Sequence, residues 1–598
     1  MSFTAIDAFE IARRYVVDLD PAVLGGVENV NRVLGWIRSR SVGRLADVQS
    51  SLMGISLTSR EMMRATMQIS AFFKKNEDLS DSVCCLQNAV DSFHKSETVC
   101  RVANRRLDWF YGKRDRLDPD LASHLAKMER EIAFLLGDTR EFLDSVPHVI
   151  RATSGATSTA SRRNSLPYMK VRTKGLTCTQ GALPWATSLS RFYGYDDVSP
   201  VITSCNRIEF VTKNYKTHRT IACEPEGNLP FQLCFDHYVK GRLLKWGVDL
   251  RSQVRNQNLA LQGSLDGSLA TVDLKSASDR LPYNTVAWML PVPWFRLVES
   301  LRSPEGEFTD RTSQDDMSFK VRYAKFSSMG NGATFVLETL VFAAACKAVG
   351  SKGFSVYGDD IVIETDLVGP LLRLLKFLGF SPNQEKTYSS GPFRESCGTN
   401  WFVGVDITPF YIHSLAGGGV RNLAHNINGL ARIAAPEGTL WQLLRRCTIG
   451  DKLLLVPTCE DTTVGVHVDV PQAYDLGLIR IKKGAASWKR YVTLEESTPG
   501  RPRENALFLW YLNRCQSDAK GSGSADDMTW KGPFVGMPVL NRFTIDDPSS
   551  LVSPDTAYGN TISRKTKRKW GYYRPSMALD AVDSAHLHWW SNYLASAA

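Results

Sequence analysis

The sequence predicts an α+β fold: a helical N-terminal quarter, then short strands in antiparallel hairpins interleaved with helices. Three observations carry this. Leu121, Leu125, Met128, Ile132 and Leu135 recur at spacings of four and three, the period of a helix with one buried face. Phe354-Ser-Val-Tyr-Gly-Asp-Asp-Ile-Val-Ile363 sets two short β-branched runs around a glycine, which reads as a tight hairpin with two acids at its tip. Leu269-Ala-Thr-Val272 is an apolar run of strand length that ends at an acid, Asp273.

The bulk numbers suit such a fold. The chain has 598 residues, 43% apolar and 22% charged, enough for about three to five domain-sized units. Its 72 basic against 62 acidic residues leave a charge of +10, which suits a polyanionic partner without requiring one. Twelve scattered cysteines without a Cys-x-x-Cys pair exclude a disulfide framework and argue against a zinc site. His586 and His588 have no nearby thiol partner and read as surface residues. The first turns carry Asp7 and Glu10 and show no signal-peptide core. The longest apolar run, Leu340 to Val349, contains Lys347 and is too short to span a bilayer, so a soluble, cytoplasmic protein is expected.

Taken in order, residues 1 to about 150 read mostly helical. The clearest helix starts at Asp118-Pro119, a cap followed by proline at the first helical position, and closes at Gly137. Between Arg151 and Arg163 the composition shifts to Ala, Ser, Thr and Gly. That stretch is either a flexible connector or a loop whose hydroxyls, amides and Arg162-Arg163 touch a phosphate backbone. Lys213, Lys216 and Arg219 then lie three apart between the β-like runs Ile208–Thr212 and Thr220–Cys223, with no acid among them. Converging cations of this kind suit a triphosphate, although an exposed hairpin would look the same.

Asp279 follows Asp273 by six residues, beyond a turn, in position to face the same cleft. Phe326-Ser-Ser-Met-Gly-Asn-Gly-Ala-Thr-Phe335 gives a small-residue loop suited to close approach by a ligand, and it leads into a helix from Phe335 to about Lys347. After the acidic hairpin, Gly369-Pro370 punctuates and Leu371–Leu378 reads as a short helix. Gly391-Pro-Phe-Arg-Glu-Ser-Cys-Gly398 and Tyr411-Ile412 bracket another hairpin. Beyond Gly417-Gly-Gly419 the chemistry fades into mixed helices and strands, a linker at Lys520-Gly-Ser-Gly-Ser524, and a basic run from Arg564 to Trp570. That run suits nucleic acid or plain solvent equally.

The adjacent carboxylates Asp359 and Asp360 repel, and something positive must hold them together; Mg²⁺, with its preference for carboxylate and phosphate oxygens, is the expected ion. With Asp273 they make the carboxylate set of a two-ion site for in-line phosphoryl displacement. A primer or initiating 3′-hydroxyl would attack and pyrophosphate would leave. Lys386 would protonate the pyrophosphate if its surroundings lower its pKa.

The order of these segments carries a resemblance. Asp273 to Asp279, Gly330-x-x-x-Thr334 and Tyr357-Gly-Asp-Asp360 follow the order of motifs A, B and C of RNA-dependent RNA polymerases. Lys386 falls at the motif D lysine, and Lys213, Lys216 and Arg219 at motif F. More specifically, the chain resembles the replicase catalytic (beta) subunits of the single-stranded RNA bacteriophages, the leviviruses. The strings Thr271-Val-Asp-Leu, Ser327-Ser-Met-Gly-Asn-Gly332, Gly391–Gly398, Asp406-Ile-Thr-Pro-Phe-Tyr-Ile412 and Ser154-Gly-Ala-Thr157 look like that family's.

The resemblance implies a right hand: helical N-terminal fingers over 1–150, fingers with the basic motif over 151–265, a palm over 266–412 with an insertion at about 284–325, and a thumb and C-terminal region over 413–598. It implies metal ligation by Asp273, Asp359 and Asp360, the last the weakest candidate as a direct ligand. Two Mg²⁺ ions are implied, with Mn²⁺ or Ca²⁺ able to substitute in binding. Substrate contacts fall on Lys213, Lys216, Arg219, Ser278, Asp279, Gly330, Asn331, Thr334 and Glu338. Partners implied are an RNA template and product, NTPs, the host elongation factors Tu and Ts and a ribosomal single-strand RNA-binding protein, in the host bacterial cytoplasm.

One position departs from the wider pattern. Where many such polymerases carry an asparagine four residues after the motif B threonine, this chain has Glu338. Sensing of the 2′-hydroxyl then rests more on Asp279 and the Ser276 and Ser278 hydroxyls, or uses Glu338 differently. Two rivals remain: a reverse transcriptase, against which the small residues after Asp273 speak, and a non-catalytic RNA-binding protein with a polymerase-like palm.

Overall fold

The computed structural model describes residues 6–52, 59–80, 82–150, 155–160, 176–192, 199–310, 317–415, 419–458 and 460–469, with short backbone stretches beyond. Ser154, Arg162, Arg163, the 520–524 linker, His586 and His588 lie outside the described residues. The fold is α+β, as the hairpins and helical periodicity imply.

Every described element before residue 150 is helical. Helices α1 (Ala8–Val17), α2 (Val27–Arg38) and α3 (Arg60–Lys74) come first, then the long α4 (Ser82–Tyr111) and α5 (Pro119–Leu136). α5 is the helix read from the periodicity. Asp118 accepts the Leu121 N–H at 3.1 Å, Pro119 fills the first position, and Gly137 at φ 68° ends it. The buried faces of these helices go to two different cores. Residues between Ile6 and Phe73 share one with residues between Ile412 and Val468, whereas Leu125, Met128, Ile132 and Leu135 of α5 join the central core. The N-terminal helices thus contribute to both cores.

The basic motif is a hairpin of β1 (Cys205–Thr212) and β2 (His218–Cys223), paired from Arg207↔Cys223 to Thr212↔His218. Helices α6 (Leu229–Leu243) and α7 (Val254–Asp266) lead into β3 (Leu269–Val272). β4 (Glu305–Phe308) and β5 (Phe319–Arg322) extend the first sheet in the order β2-β1-β4-β5. Then α8 (Thr334–Ala348) enters, buried on nearly every side and packed on α5. This explains the apolar run Leu340 to Val349: it is a core helix, and no described helix is long and apolar enough to cross a membrane.

β6 (Ser355–Tyr357) and β7 (Asp360–Glu364) form the acidic hairpin, and β7 pairs antiparallel with β3 in the order β3-β7-β6. Gly369-Pro370 does not break the chain as expected but lies in the first turn of α9 (Val368–Phe377). A proline there lacks only an N–H that has no intrahelical partner. β8 (Phe393–Ser396) and β9 (Thr399–Phe402) make a hairpin that begins within the 391–398 string, which with Tyr411-Ile412 is expected to bracket one, and it turns at Cys397-Gly398, both at positive φ.

Beyond it lie α10 (Gly419–Ala431) and α11 (Thr439–Gly450). The start of α11 is capped from the far end of the chain: the Thr439 and Leu440 N–H groups donate to Asp18 at 2.8 and 2.9 Å. The last described pair is β10 (Ala485–Thr498) with β11 (Thr561–Tyr573), which contains the basic run Arg564–Trp570.

Candidate active site

The acidic hairpin closes by the pair Tyr357↔Asp360, so its loop is only Gly358-Asp359. Glycine is required there. Its φ is 60°, and a Cβ would stand 2.6 Å from the Phe335 ring. The two acids are not both at the tip, as expected: Asp359 is, while Asp360 begins β7. Asp273 follows Val272, the residue paired with Ile361, and the register sets it across from Asp360. Three carboxylates thus meet where β3 ends and the hairpin turns.

Their electrostatics reflect that crowding. Burial, then the charges of Asp359 and Asp273, push Asp360 up to about 7. Burial also raises Asp273, against the opposing pull of Lys386 and an Asn383 hydrogen bond. A hydrogen bond from the Cys397 backbone amide acts in the opposite direction on Asp360.

Two asparagines that no motif reading found hold these acids. Asn383 donates its backbone N–H to the Asp273 carbonyl at 2.8 Å and its side-chain N–H to Asp273 Oδ2 at 2.7 Å. Asn256, 3% exposed on α7, donates to the Asp360 carbonyl at 3.1 Å and accepts from Ser355 at 2.6 Å. The only sequence signal for Asn256 is an amide on the buried face of a helix. Asn383 has none beyond its nearness to Lys386.

The cations divide. Lys213 lies in the cleft. Lost hydration and Arg219 lower its pKa, while the charges of Asp279 and Asp359 act against them. Arg219 pairs across the hairpin with Val211, two residues before Lys213, so strand alternation sets both cations on one face. Lys216 sits in the turn, its carbonyl accepting from Asn88 of α4 at 2.9 Å, with no contact to the carboxylates among the described residues. Lys386 faces Glu395 at 3.5 Å. Burial would lower its pKa, but Glu395, Asp273 and Asp360 outweigh burial and hold it above the ordinary lysine value. The lowering expected for an acid catalyst is therefore absent from this carboxylate-rich surrounding.

Around motifs A and B, several expected substrate contacts are spoken for. The Thr334 hydroxyl donates to the Ser328 carbonyl at 2.8 Å and lies 2.6 Å from the Ser327 hydroxyl. Gly330, at φ 102°, lies so close to β2 that a Cβ would stand 2.3 Å from the Ala222 carbonyl oxygen. The loop approaches protein backbone there, where a ligand was expected. Asn331 bonds to Glu224, a fully buried carboxyl that also accepts from Asn206 at 2.8 Å, Ser303 at 2.8 Å and Gln232 at 3.0 Å. Gly330, Asn331 and Thr334 therefore shape the loop.

The loop at 155–160 is likewise fastened. The Thr157, Thr159 and Thr177 hydroxyls all donate to Glu226, and Arg207 binds the Thr157 carbonyl at 3.0 Å and that of Ser158 at 3.1 Å. Those two threonine hydroxyls are thus not offered to a phosphate backbone.

Ser278 and Glu338 form a pair: the hydroxyl donates to Glu338 Oε2 at 2.9 Å. Glu338 is 1% exposed, and burial followed by the charge of Asp359 pushes it up to about 8. Its protonated form can donate as well as accept, which is the capacity an asparagine would bring to that position. Asp279 ends a short 3₁₀ turn, Ala277–Asp279, that follows Ser276 at φ 52°, and its Oδ1 meets the buried Lys325 at 2.9 Å.

The site suits a hard divalent cation. Among the described residues no three carboxylate, histidine or cysteine groups form a ready-made metal cage. What it offers is a half-buried carboxylate set whose mutual repulsion a bound cation would relieve. Mg²⁺ is characteristically held this way, by one or two carboxylates with waters and substrate phosphates completing its shell.

Comparison with known proteins agrees with this chemistry. Residues 47–433 match the family model described as RNA replicase, beta-chain. The chain is 34% identical over 511 residues to the RNA-directed RNA polymerase subunit beta of Escherichia virus Qbeta, covering 82% of each chain. It is 39% identical to that of Enterobacteria phage SP over 61% of this chain and 63% of the relative. The RNA-directed RNA polymerase beta chain of Escherichia phage MS2 is 41% identical over 35% of this chain and 37% of that one.

Proposed function

We propose, from the premise that this chain belongs to the RNA replicase beta-chain family and is an RNA-directed RNA polymerase, that it extends RNA by two-metal nucleotidyl transfer at Asp273, Asp359 and Asp360. The observation that carries this reading is the meeting of those three carboxylates at the β3–hairpin junction, with Lys213 in the same cleft. The reaction joins a 3′-hydroxyl of product RNA to the α-phosphate of a template-selected NTP and releases pyrophosphate, in viral genome replication and transcription.

Asp273 and Asp359 would hold the two cations, Mg²⁺ by preference, with Asp360 in support. When bound, the cations make the 3′-hydroxyl a better nucleophile and neutralise charge on the leaving pyrophosphate. Asn383 and Asn256 keep the carboxylates in register. Lys213 and Arg219 face the triphosphate from one side of their hairpin and compensate its charge. Lys386 keeps a proton on Nζ. From there it would serve as the proton donor to the leaving pyrophosphate. Asp279, Ser278 and Glu338 line the place for the ribose.

RNA template and product, NTPs, the host elongation factors Tu and Ts and a ribosomal RNA-binding protein are the proposed partners, in the bacterial cytoplasm. The test is incorporation of labelled NTPs on an RNA template with Mg²⁺, with and without a bacterial extract. Synthesis that needs the extract supports the host subunits. Asp359→Asn should abolish synthesis and retain RNA binding; unchanged activity would leave a non-catalytic RNA-binding protein. Use of dNTPs as readily as NTPs would favour a reverse transcriptase.

A further inference from the structure

Lys325 is a fully buried lysine that no motif includes. Its Nζ lies 2.9 Å from Asp279 Oδ1 and 3.7 Å from Glu97 Oε1, and 4.2 Å from the centre of the Phe93 ring. An ammonium without water needs such partners, since neither charge nor hydrogen bonds can be supplied by solvent.

The backbone around the lysine is pinned on two sides. Lys325 forms an isolated bridge with Pro282, the Phe326 N–H donates to the Leu281 carbonyl at 2.8 Å, and the Tyr283 N–H donates to that of Ala324 at 3.1 Å. Glu97, fully buried on α4, accepts the Ala324 N–H at 2.6 Å, and Asn104 one helical stretch further on donates to the Ala324 carbonyl at 2.7 Å. Strand-like pairing on one side and α4 on the other therefore fix the cation. It grips one oxygen of Asp279, and this orients the other.

We infer that Lys325, backed by Glu97, is a positioning residue for sugar selection: it presents Asp279 Oδ2 to the ribose 2′-hydroxyl. This rests on the reading above that Asp279 lines the ribose site. It adds that selectivity depends on a buried charge on the segment before motif B and on a helix of the N-terminal quarter, some 180 residues from Asp279 in sequence.

The test is single-nucleotide incorporation by the full chain with its required host components, reading kcat/KM for an NTP and for the matching 2′-dNTP. Asp279→Asn should lower the NTP/dNTP ratio about tenfold or more. Lys325→Met should lower it to a similar extent, and the double variant no further, because the two act as one unit. Lys325→Gln, which still donates a hydrogen bond but lacks the charge, is the second variant should Met destabilise the fold, and its loss should be smaller. If Asp279→Asn changes the ratio and neither Lys325 variant does, the inference falls alone. Equal loss with NTP and dNTP in the Lys325 variants would mark a merely structural role and also overturn it. An unchanged ratio in Asp279→Asn overturns the ribose reading itself, and the inference with it.

Discussion

Asn383→Ala isolates one bond in the candidate site. The substitution removes the side-chain N–H that meets Asp273 Oδ2 at 2.7 Å and keeps the backbone N–H that meets the Asp273 carbonyl at 2.8 Å. The fold of the 381–388 segment should therefore survive. A hydrogen bond to a charged group contributes about 1.5–3 kcal/mol. Asp273 is half-buried, and water can replace part of the lost donor, so the lower end applies: ~1.5 kcal/mol, or about tenfold in kcat/KM. The loss should appear as a higher Mg²⁺ requirement, since groups that orient metal ligands typically change affinity by about 10- to 100-fold.

The pH dependence has a definite sign. Asn383 lowers the Asp273 pKa, so its removal raises a value that burial already holds above the ordinary one. The carboxylate must be ionised to bind a cation, and the acid limb of the rate profile should move to higher pH. The assay is elongation rate against Mg²⁺ at several pH values. A variant within twofold of the parent at every pH, with an unshifted Mg²⁺ midpoint, would refute the reasoning.

Two further substitutions probe the surroundings. Gly330→Ala meets both a φ of 102° and the Ala222 carbonyl oxygen at 2.3 Å, so the motif B loop must leave β2. Backbone strain of this kind costs about 1–3 kcal/mol, and the urea midpoint should fall together with activity; a parent-like midpoint would show that the loop packs elsewhere. Glu224→Gln tests the buried carboxyl. Its folded pKa is raised above 4.5 by burial, so the folded state holds the proton more tightly and this group's contribution to stability falls as pH rises above 4.5. The glutamine does not titrate, so the stability of the variant relative to the parent should rise with pH. A difference flat from pH 4.5 to 8 would mean that Glu224 ionises in the fold without penalty.

Local signals in the sequence determined what lies within a few residues of them. Asp118-Pro119 and Gly137 bound α5 because caps act over one turn. Gly358 between β-branched runs produced the hairpin, and an apolar run ending in an acid put Asp273 at a strand end. Tyr357-Gly-Asp-Asp360, with the motifs around it, also sufficed to identify the family. The roles of other residues turn on a different property.

Gly330, Asn331 and Thr334 read as ligand contacts in the sequence because small, polar loop residues look alike whether they face a substrate or a neighbouring strand. The approach of β2 and the bond to Glu224 appear only in the tertiary structure. The sequence makes Lys386 an acid catalyst only if its surroundings lower its pKa, and the carboxylates that raise it come from three separate segments. Asn383, Asn256, Lys325 and Glu97 act across gaps of 110, 104, 46 and 228 residues from Asp273, Asp360, Asp279 and Lys325 in turn. The same holds for Asp18, which caps a helix 421 residues away. Spacing encodes periodicity and turns; it carries no record of which distant segment fills the remaining hydrogen bonds. Burial makes those bonds obligatory, and tertiary packing alone chose their partners.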